Sequence, residues 1–423
     1  MSRWMYAALV CAVSWCAPVA LAGDAASGAG ASPVTLKEAI ARALGASAAV
    51  KAHEERIGGA EAGIRQSGAL PNPEISAELE NFAGSGPFKK LNDSELTLGI
   101  SQRIERAGKR DGRVAVAQSE RDIAAIERDA ARLDAAADAR RAFYDVCAAA
   151  ALVKVRKAGL DSARQIEAMA ARRVRSARDP LTVKLRAEIL SAEAKGAHDR
   201  AVLALETAKR KLASMWGDPT ATFSVDETAL LAVPETDAPA PSDTSPDLKV
   251  KEAAARRAAA KVELENANAR SDFSIGLGVR RFENGGDLAG VVSLSVPLAV
   301  FDGNQGNIEQ AAAERRAAEL DVVEARRAVE REALSLQGEV TNARAEALAI
   351  RADLLPRAEE ALRAARRGYD LGAFSYLELS ESQRTLNEIR AREVEILRDL
   401  QFALAALDRL ASRDITTNEG PTP

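Results

Sequence analysis

The sequence predicts a mainly α-helical fold with a small β part, arranged as two structural repeats per chain. Three observations predict it. Hydrophobic residues make up 47% of the 423 and aromatics only 4%, so the apolar content is mostly Ala, Leu and Val, a composition suited to long helices packed side by side. Four short segments alternate apolar and polar residues with period two. The chain also resembles itself at an offset of roughly 196 residues, which sets Arg178-Asp179-Pro180-Leu181-Thr182-Val183 opposite Phe374-Ser375-Tyr376-Leu377-Glu378-Leu379.

The same composition excludes several classes of function. Lys and Arg number 58 against 62 Asp and Glu, a formal net charge of −4, without the basic footprint of a nucleic-acid-binding protein. Two histidines and three cysteines leave nothing for a disulfide scaffold or a Cys/His metal centre. No nucleophile–base constellation or cofactor loop is visible, so neither an enzyme nor a cofactor is expected.

Residues 1–22 read as a signal peptide: Arg3, an apolar stretch from Trp4 to Leu21, and the small-residue site Ala20-Leu21-Ala22. A transmembrane anchor is the competing reading. Cys11 and Cys16 lie inside this segment, Trp15 argues against lipidation at Cys16, and Cys147 alone remains in the mature chain. Residues 23–231 form the first repeat: a helix, two strands and a long helical hairpin. A linker with Pro234, Pro239, Pro241 and Pro246 covers 232–247, the second repeat with the same layout covers 248–412, and a polar disordered tail covers 413–423.

The first strand is expected from Glu74 to Phe82, with Ile75, Ala77 and Leu79 on one side. In the second, Leu96, Leu98 and Ile100 alternate with Glu95, Thr97 and Ser101. In the third, Phe273, Ile275, Leu277 and Val279 alternate with Ser274, Gly276, Gly278 and Arg280. In the fourth, Val292, Leu294, Val296 and Leu298 alternate with Ser293, Ser295 and Pro297. At about 9–11 residues each they are long enough to span an outer membrane when tilted. A soluble half-buried sheet shows the same alternation. Four strands cannot close a barrel alone, so membrane insertion requires several chains to contribute four strands each.

Lys109 to Arg175 carries no proline and, beyond Gly112 in its first turn, keeps Gly159 as its interior glycine, a helix on the order of 100 Å long. In the last helix Leu386, Ile389, Glu393, Ile396, Leu400, Ala403, Leu407 and Leu410 follow a heptad seam, and Leu190 to Met215 nearly repeats it. Pro356 interrupts the second long helix and is expected to kink it. Short turns at Ser176–Pro180 and Asp370–Ser375 make two hairpin tips.

Several motifs together resemble the TolC-type outer-membrane efflux channels, most closely the heavy-metal, CzcC-like branch. They are Leu70-Pro71-Asn72-Pro73-Glu74-Ile75-Ser76 entering the first strand, and Pro180-Leu181-Thr182-Val183 with Leu212-Ala213-Ser214-Met215-Trp216-Gly217 in the first repeat. In the second they are Val296-Pro297-Leu298, Phe301-Asp302-Gly303-Asn304-Gln305-Gly306-Asn307, Leu355-Pro356-Arg357-Ala358-Glu359, and the run Gly368-Tyr369-Asp370-Leu371-Gly372-Ala373-Phe374-Ser375-Tyr376. The resemblance covers Val34 to Ala411. Ser176 stands where the first tip usually carries glycine, and Gly303 where this branch often carries arginine.

The resemblance implies a homotrimer whose three chains make a 12-stranded barrel in outer-membrane lipid, continued by an α-helical tube through the periplasm. It implies a periplasmic adaptor at the tips, an inner-membrane RND pump behind it, and export of heavy-metal cations. Organic compounds or polypeptides are the alternative cargo, and a soluble coiled-coil adaptor the alternative of another class. Glu378 and Glu381, three apart on one helix face, match the acidic positions that narrow the periplasmic mouth in the family; a helix start also favours acids through its dipole. Gly372, Phe374 and Tyr376, with Asp179 and Pro180, are expected to contact the adaptor. Glu74, Glu78, Glu80, Glu95 and Arg280 lie on the polar side of the strands, hence in the barrel lumen if the apolar side faces lipid. His53 and His198 are read as surface residues and Cys147 as a packed one.

Overall fold

The computed structural model describes residues 33–89, 91–233 and 244–413. The expected signal peptide, most of the linker and nearly all of the tail lie outside the described residues. The chain runs α1 (Leu36–Ala46), α2 (Ala48–Ser67), β1 (Glu74–Glu80), β2 (Glu95–Ile104), α3 (Lys109–Arg175), α4 (Leu181–Ser214), α5 (Thr228–Leu231), α6 (Pro246–Asn268), β3 (Phe273–Phe282), β4 (Leu288–Ser295), α7 (Gln305–Ala349), α8 (Leu355–Leu371) and α9 (Tyr376–Leu410).

The strands form one four-stranded antiparallel sheet in chain order, β1-β2-β3-β4. Its centre is the β2–β3 pairing, from Glu95 opposite Phe282 to Ile104 opposite Phe273, so the two repeats join at the middle of the sheet. β1 ends at Glu80 and β4 at Ser295, both short of the alternating pattern. For β4 the reason is Pro297, which has no N–H to give a ladder; the exposed Val296 and Leu298 continue the alternation without pairing.

At each level four helices lie abreast. α3 packs against α2 and α4 on one side and α6 and α9 on the other; α7 closes the layer against α6 and α9, and α8 continues it along α9. At 67 residues α3 extends about 100 Å. Its buried positions are largely alanine, with Ala136, Ala137, Ala139, Ala163 and Ala170 at 5% exposure or less, and these small side chains let neighbouring helices approach closely. Gly159 is the tightest approach: a Cβ there would stand 2.9 Å from the Asn387 amide nitrogen on α9.

Six of the eight α9 heptad positions, Leu386, Ile396, Leu400, Ala403, Leu407 and Leu410, are buried, and Ile389 and Glu393 are half-buried. Between them Val394, Leu397, Ala405 and Gln401 are buried too, because α9 sits between α3 and α7 rather than in a two-stranded pair. Arg140 on α3 reaches Asp408 on α9 at 2.6 Å with both side chains nearly enclosed, and its guanidinium lies 5.9 Å from the centre of the Tyr144 ring. Removing either charge would strand the other in a dry site, which costs about 3–5 kcal/mol.

The second long helix is interrupted at Pro356, between α7 and α8. Residues Ile350–Leu354 form a π-helical turn just before it, whose wider bonding pattern accommodates a residue with no N–H. One difference concerns the linker. Ser245, Pro246 and Asp247 form the cap and first turn of α6, with Ser245 and Pro246 buried; proline at a helix start loses no hydrogen bond.

α5 and the segment before it, absent from the sequence reading, lie against the middle of the stem. Leu230 is fully buried with Phe143, Val146, Leu212 and Leu397, and Val34 bridges Val225. Cys147 belongs to this cluster and is wholly enclosed; burial pushes its thiol up to about 12, which leaves it protonated and inert.

Candidate functional site

The sheet has two chemically opposite faces. The cross-strand rows place Ile75 beside Ile100, Leu277 and Val292, and Ala77 beside Leu98 and Val279. Nothing among the described residues covers this face: Ile75 is 84% exposed, Leu277 60% and Val292 77%. A patch of this size is not left in water by a soluble monomer. The outer edges of β1 and β4 have no partner strand among the described residues.

The stem repeats the arrangement. α4, on the β1 side, exposes Leu185, Ile189 and Leu203, and α7, on the β4 side, exposes Leu320, Leu334 and Leu348. Each flank of the stem therefore carries exposed apolar side chains among its charged ones.

The opposite face of the sheet carries the expected polar set. Glu78, Thr97 and Arg280 form one row, and Glu80 and Glu95 stand directly opposite in the next. Arg280 donates to Glu95 at 2.8 Å and to the Thr97 hydroxyl at 2.9 Å, and lies 3.0 Å from Glu80. Those two carboxylates thus share one positive charge, whereas Glu74 and Glu78 form no ion pair among the described residues.

At the other end the two tips are tied together. Tip one turns through Ala177, at φ 56°, and re-enters helix at Pro180. Tip two turns through Gly372 at φ 82°, a left-handed position that suits glycine; the next amide, of Ala373, donates to Gly368 O at 2.8 Å. Gly368 is also required, since a side chain there would collide with the Phe374 ring.

Asp179 accepts from Arg173 Nε at 2.8 Å and Nη2 at 3.1 Å, and from the Tyr369 hydroxyl at 2.7 Å. Arg173 also donates to the Tyr369 carbonyl at 2.6 Å, and its guanidinium stacks 4.7 Å from that ring's centre. Arg173 holds the Asp179 carboxyl below its usual value, and burial pushes the Tyr369 phenol up. Tyr376 is 9% exposed and meets Tyr369 edge-on at 6.4 Å. Asp179 and Tyr376 therefore point inward and hold the tips, while Pro180, Gly372 and Phe374 remain at the surface beside Leu371 and Leu377, both exposed. Leu371 and Leu377 were missed from the sequence, as was the clasp of Arg173 and Tyr369. The Tyr369–Asp179 bond joins positions 190 residues apart, and only the within-tip spacing of Arg173 and Asp179 was legible.

Glu378 and Glu381 are exposed at the start of α9. Glu378 forms a capping box with Ser375, accepting from its backbone N–H at 2.6 Å; that bond keeps its carboxyl below the ordinary value and ionised. Glu381 pairs with Arg384 at 2.9 Å. His53 and His198 lie on different helices, near Glu127 and Asp199. Among the described residues no group of His, Cys, Asp and Glu is placed to hold a metal ion, and no helix is long and apolar enough to cross a membrane.

A family model described as outer membrane efflux protein matches residues 39–218 and 242–413. The cobalt-zinc-cadmium resistance protein CzcC of Cupriavidus metallidurans is 28% identical over 387 residues, 90% of this chain and 91% of that protein. The nickel and cobalt resistance protein CnrC of the same organism is 31% identical over 309 residues, 72% of this chain and 71% of that one. Among solved structures, CusC aligns with a TM-score of 0.73 at 15% identity, over 89% of this chain and 91% of its own. The outer membrane protein VceC of Vibrio cholerae aligns with a TM-score of 0.72 at 20% identity, over 89% and 95%. The fold is thus shared with those proteins along nearly the whole chain, and with the family model matched over both halves the chain belongs to the outer membrane efflux protein family.

Proposed function

We propose that the protein is the outer-membrane channel of a tripartite efflux system that exports heavy-metal cations. The observation that carries this reading is the sheet: its apolar face and two open edges are satisfied together when three chains close one barrel in lipid. The exposed leucines and isoleucine of α4 and the exposed leucines of α7 are then covered where neighbouring stems meet. The chain contributes a path, while a periplasmic adaptor and an inner-membrane RND pump supply selection and energy. The metal class rests on the relatives, which are named for cobalt, zinc, cadmium and nickel resistance.

Within that reading, Pro180, Gly372 and Phe374 with Leu371 and Leu377 form the adaptor contact, and Asp179 and Tyr376 support it from behind. Cysteines at positions 178 and 373 are then expected to cross-link to the adaptor, and the absence of an adduct would refute the contact. Glu378 and Glu381, tripled about the channel axis, form rings of carboxylate that favour cations at the mouth, and Glu74 and Glu78 continue that preference in the lumen. Replacing both Glu378 and Glu381 by Ala is expected to reduce cation over anion permeability several-fold in single channels; unchanged selectivity would remove them from the gate.

A strain lacking the gene, grown across zinc, cobalt, cadmium, nickel, copper and silver beside dyes and detergents, tests the cargo. Sensitivity to a subset of the metals is expected. Sensitivity to organics alone would keep the channel and overturn the metal assignment.

A further inference from the structure

A groove of about 460 Å³ opens where α3, α8 and α9 meet, lined among others by Asp161, Ser162, Glu359, Arg363, Arg366 and Arg390. The channel reading gives it no role. Its floor is polar and fixed: Ser162 and Gln383 are both buried, the Ser162 hydroxyl donates to the Gln383 side-chain oxygen, and Gln383 donates onward to Asn387 at 3.1 Å.

Arg366 reaches over this floor. Its Nη2 donates to the Ser162 hydroxyl and, at 3.4 Å, to the Gln383 oxygen, both neutral acceptors. Its Nε is shut off from solvent with no partner, and no carboxylate among the described residues pairs with it. Burial lowers its basicity, with no neighbouring anion to oppose the effect. The other charges in the groove do not supply one. Glu359 is shared by Arg390 at 2.7 Å and Arg363 at 3.9 Å, and Asp161 is taken by Lys157 at 3.1 Å. Three guanidiniums thus face one carboxylate, already engaged twice.

A partly desolvated guanidinium whose Nη groups have donors to spare is suited to a carboxylate, whose two oxygens match its planar fork. Arg363 and Arg366 are three apart and share one face of α8, so both reach a single ligand. We propose that this groove is a carboxylate-binding site, with Arg366 as the principal donor and Arg363 as the second. A ligand bridging α8 to α3 there would sit one turn from Tyr369 and brace the clasped tips. The carboxylate comes either from a free polycarboxylate or from acidic side chains of a docked segment, and the chemistry is the same for both.

The test is calorimetric titration of the full-length, detergent-solubilised protein at fixed ionic strength, with citrate in one arm and a glutamate-rich helical peptide in the other. Native protein is expected to bind at least one of the two, and Arg366→Gln to bind it at least tenfold more weakly. Arg357→Gln removes an exposed arginine outside the groove and is expected to leave binding unchanged. If Arg366→Gln does not fold, Arg366→Lys keeps the charge without the fork and is expected to weaken binding several-fold. Binding of citrate assigns a free small anion; binding of the peptide alone assigns a partner's side chain. Binding of neither by native protein, or equal binding by native and Arg366 variants, would overturn the proposal.

Discussion

Replacing Asp179 with alanine is expected to release the two hairpin tips from each other while leaving the rest of the molecule folded. Asp179 is the one acceptor shared by Arg173 on tip one and Tyr369 on tip two. Both Arg173 and Asp179 side chains are about six-sevenths enclosed, at 15% and 14% exposure, so the loss of charge-assisted bonds is felt locally at about 2 kcal/mol. Hydrogen exchange should rise in the last turns of α3 and α8, and single-channel conductance should increase several-fold. Tyr369→Phe removes one bond and should act in the same direction but more weakly. Unchanged exchange and conductance in Asp179→Ala would mean that the clasp does not hold the tips. The pH dependence has a definite sign. Because Arg173 depresses the Asp179 carboxyl, the clasp is intact above the ordinary carboxylate value near ~4 and is lost only as pH falls through the lower folded value. The alanine variant should show no such acid transition at the tips.

Replacing Leu277 with arginine is expected to abolish assembly in the outer membrane. Leu277 lies in the interior of β3, between Ile100 and Val292, on the uncovered apolar face. An arginine at the bilayer midplane costs about 2–4 kcal/mol in a barrel, and three copies multiply that penalty. The variant should be missing from the outer-membrane fraction and degraded or left as monomer. Glu78→Gln, on the opposite face, should assemble normally. Normal membrane assembly of Leu277→Arg would mean that this face does not meet lipid.

Much of this was legible in the sequence because it depends on period and spacing. The alternation of Leu96, Leu98 and Ile100 marked a two-faced strand, and the seam through Leu400 and Leu407 marked α9 as a packing helix. The great length of α3 was legible from its freedom from proline. The end of β4 was misread because alternation runs on through Leu298 while pairing stops before Pro297. Proline was read too simply at Pro246, where it begins a helix, whereas Pro356 interrupts its helix, next to a π turn. Side-chain partnerships between repeats were not legible at all. Nothing local shows that Asp179 faces Tyr369, that Arg140 is buried against Asp408, or that Arg366 is left with neutral partners. Glu378 carried two readings, and its capping box with Ser375 establishes the local one without excluding a place at the mouth.

The central claim is that β1 of one chain closes against β4 of the next. Cysteine pairs across those edges test it most directly, with Ser76→Cys on β1 combined in turn with cysteines at 289, 291 and 293 on β4. These positions all lie on one face of the sheet, and Cys147 is too enclosed to interfere. Oxidation in intact outer membranes is expected to give, for at least one pair, a covalent trimer on a denaturing gel, with single-cysteine controls remaining monomeric. Monomers from every pair, or a crosslink formed only within one chain, would contradict the account.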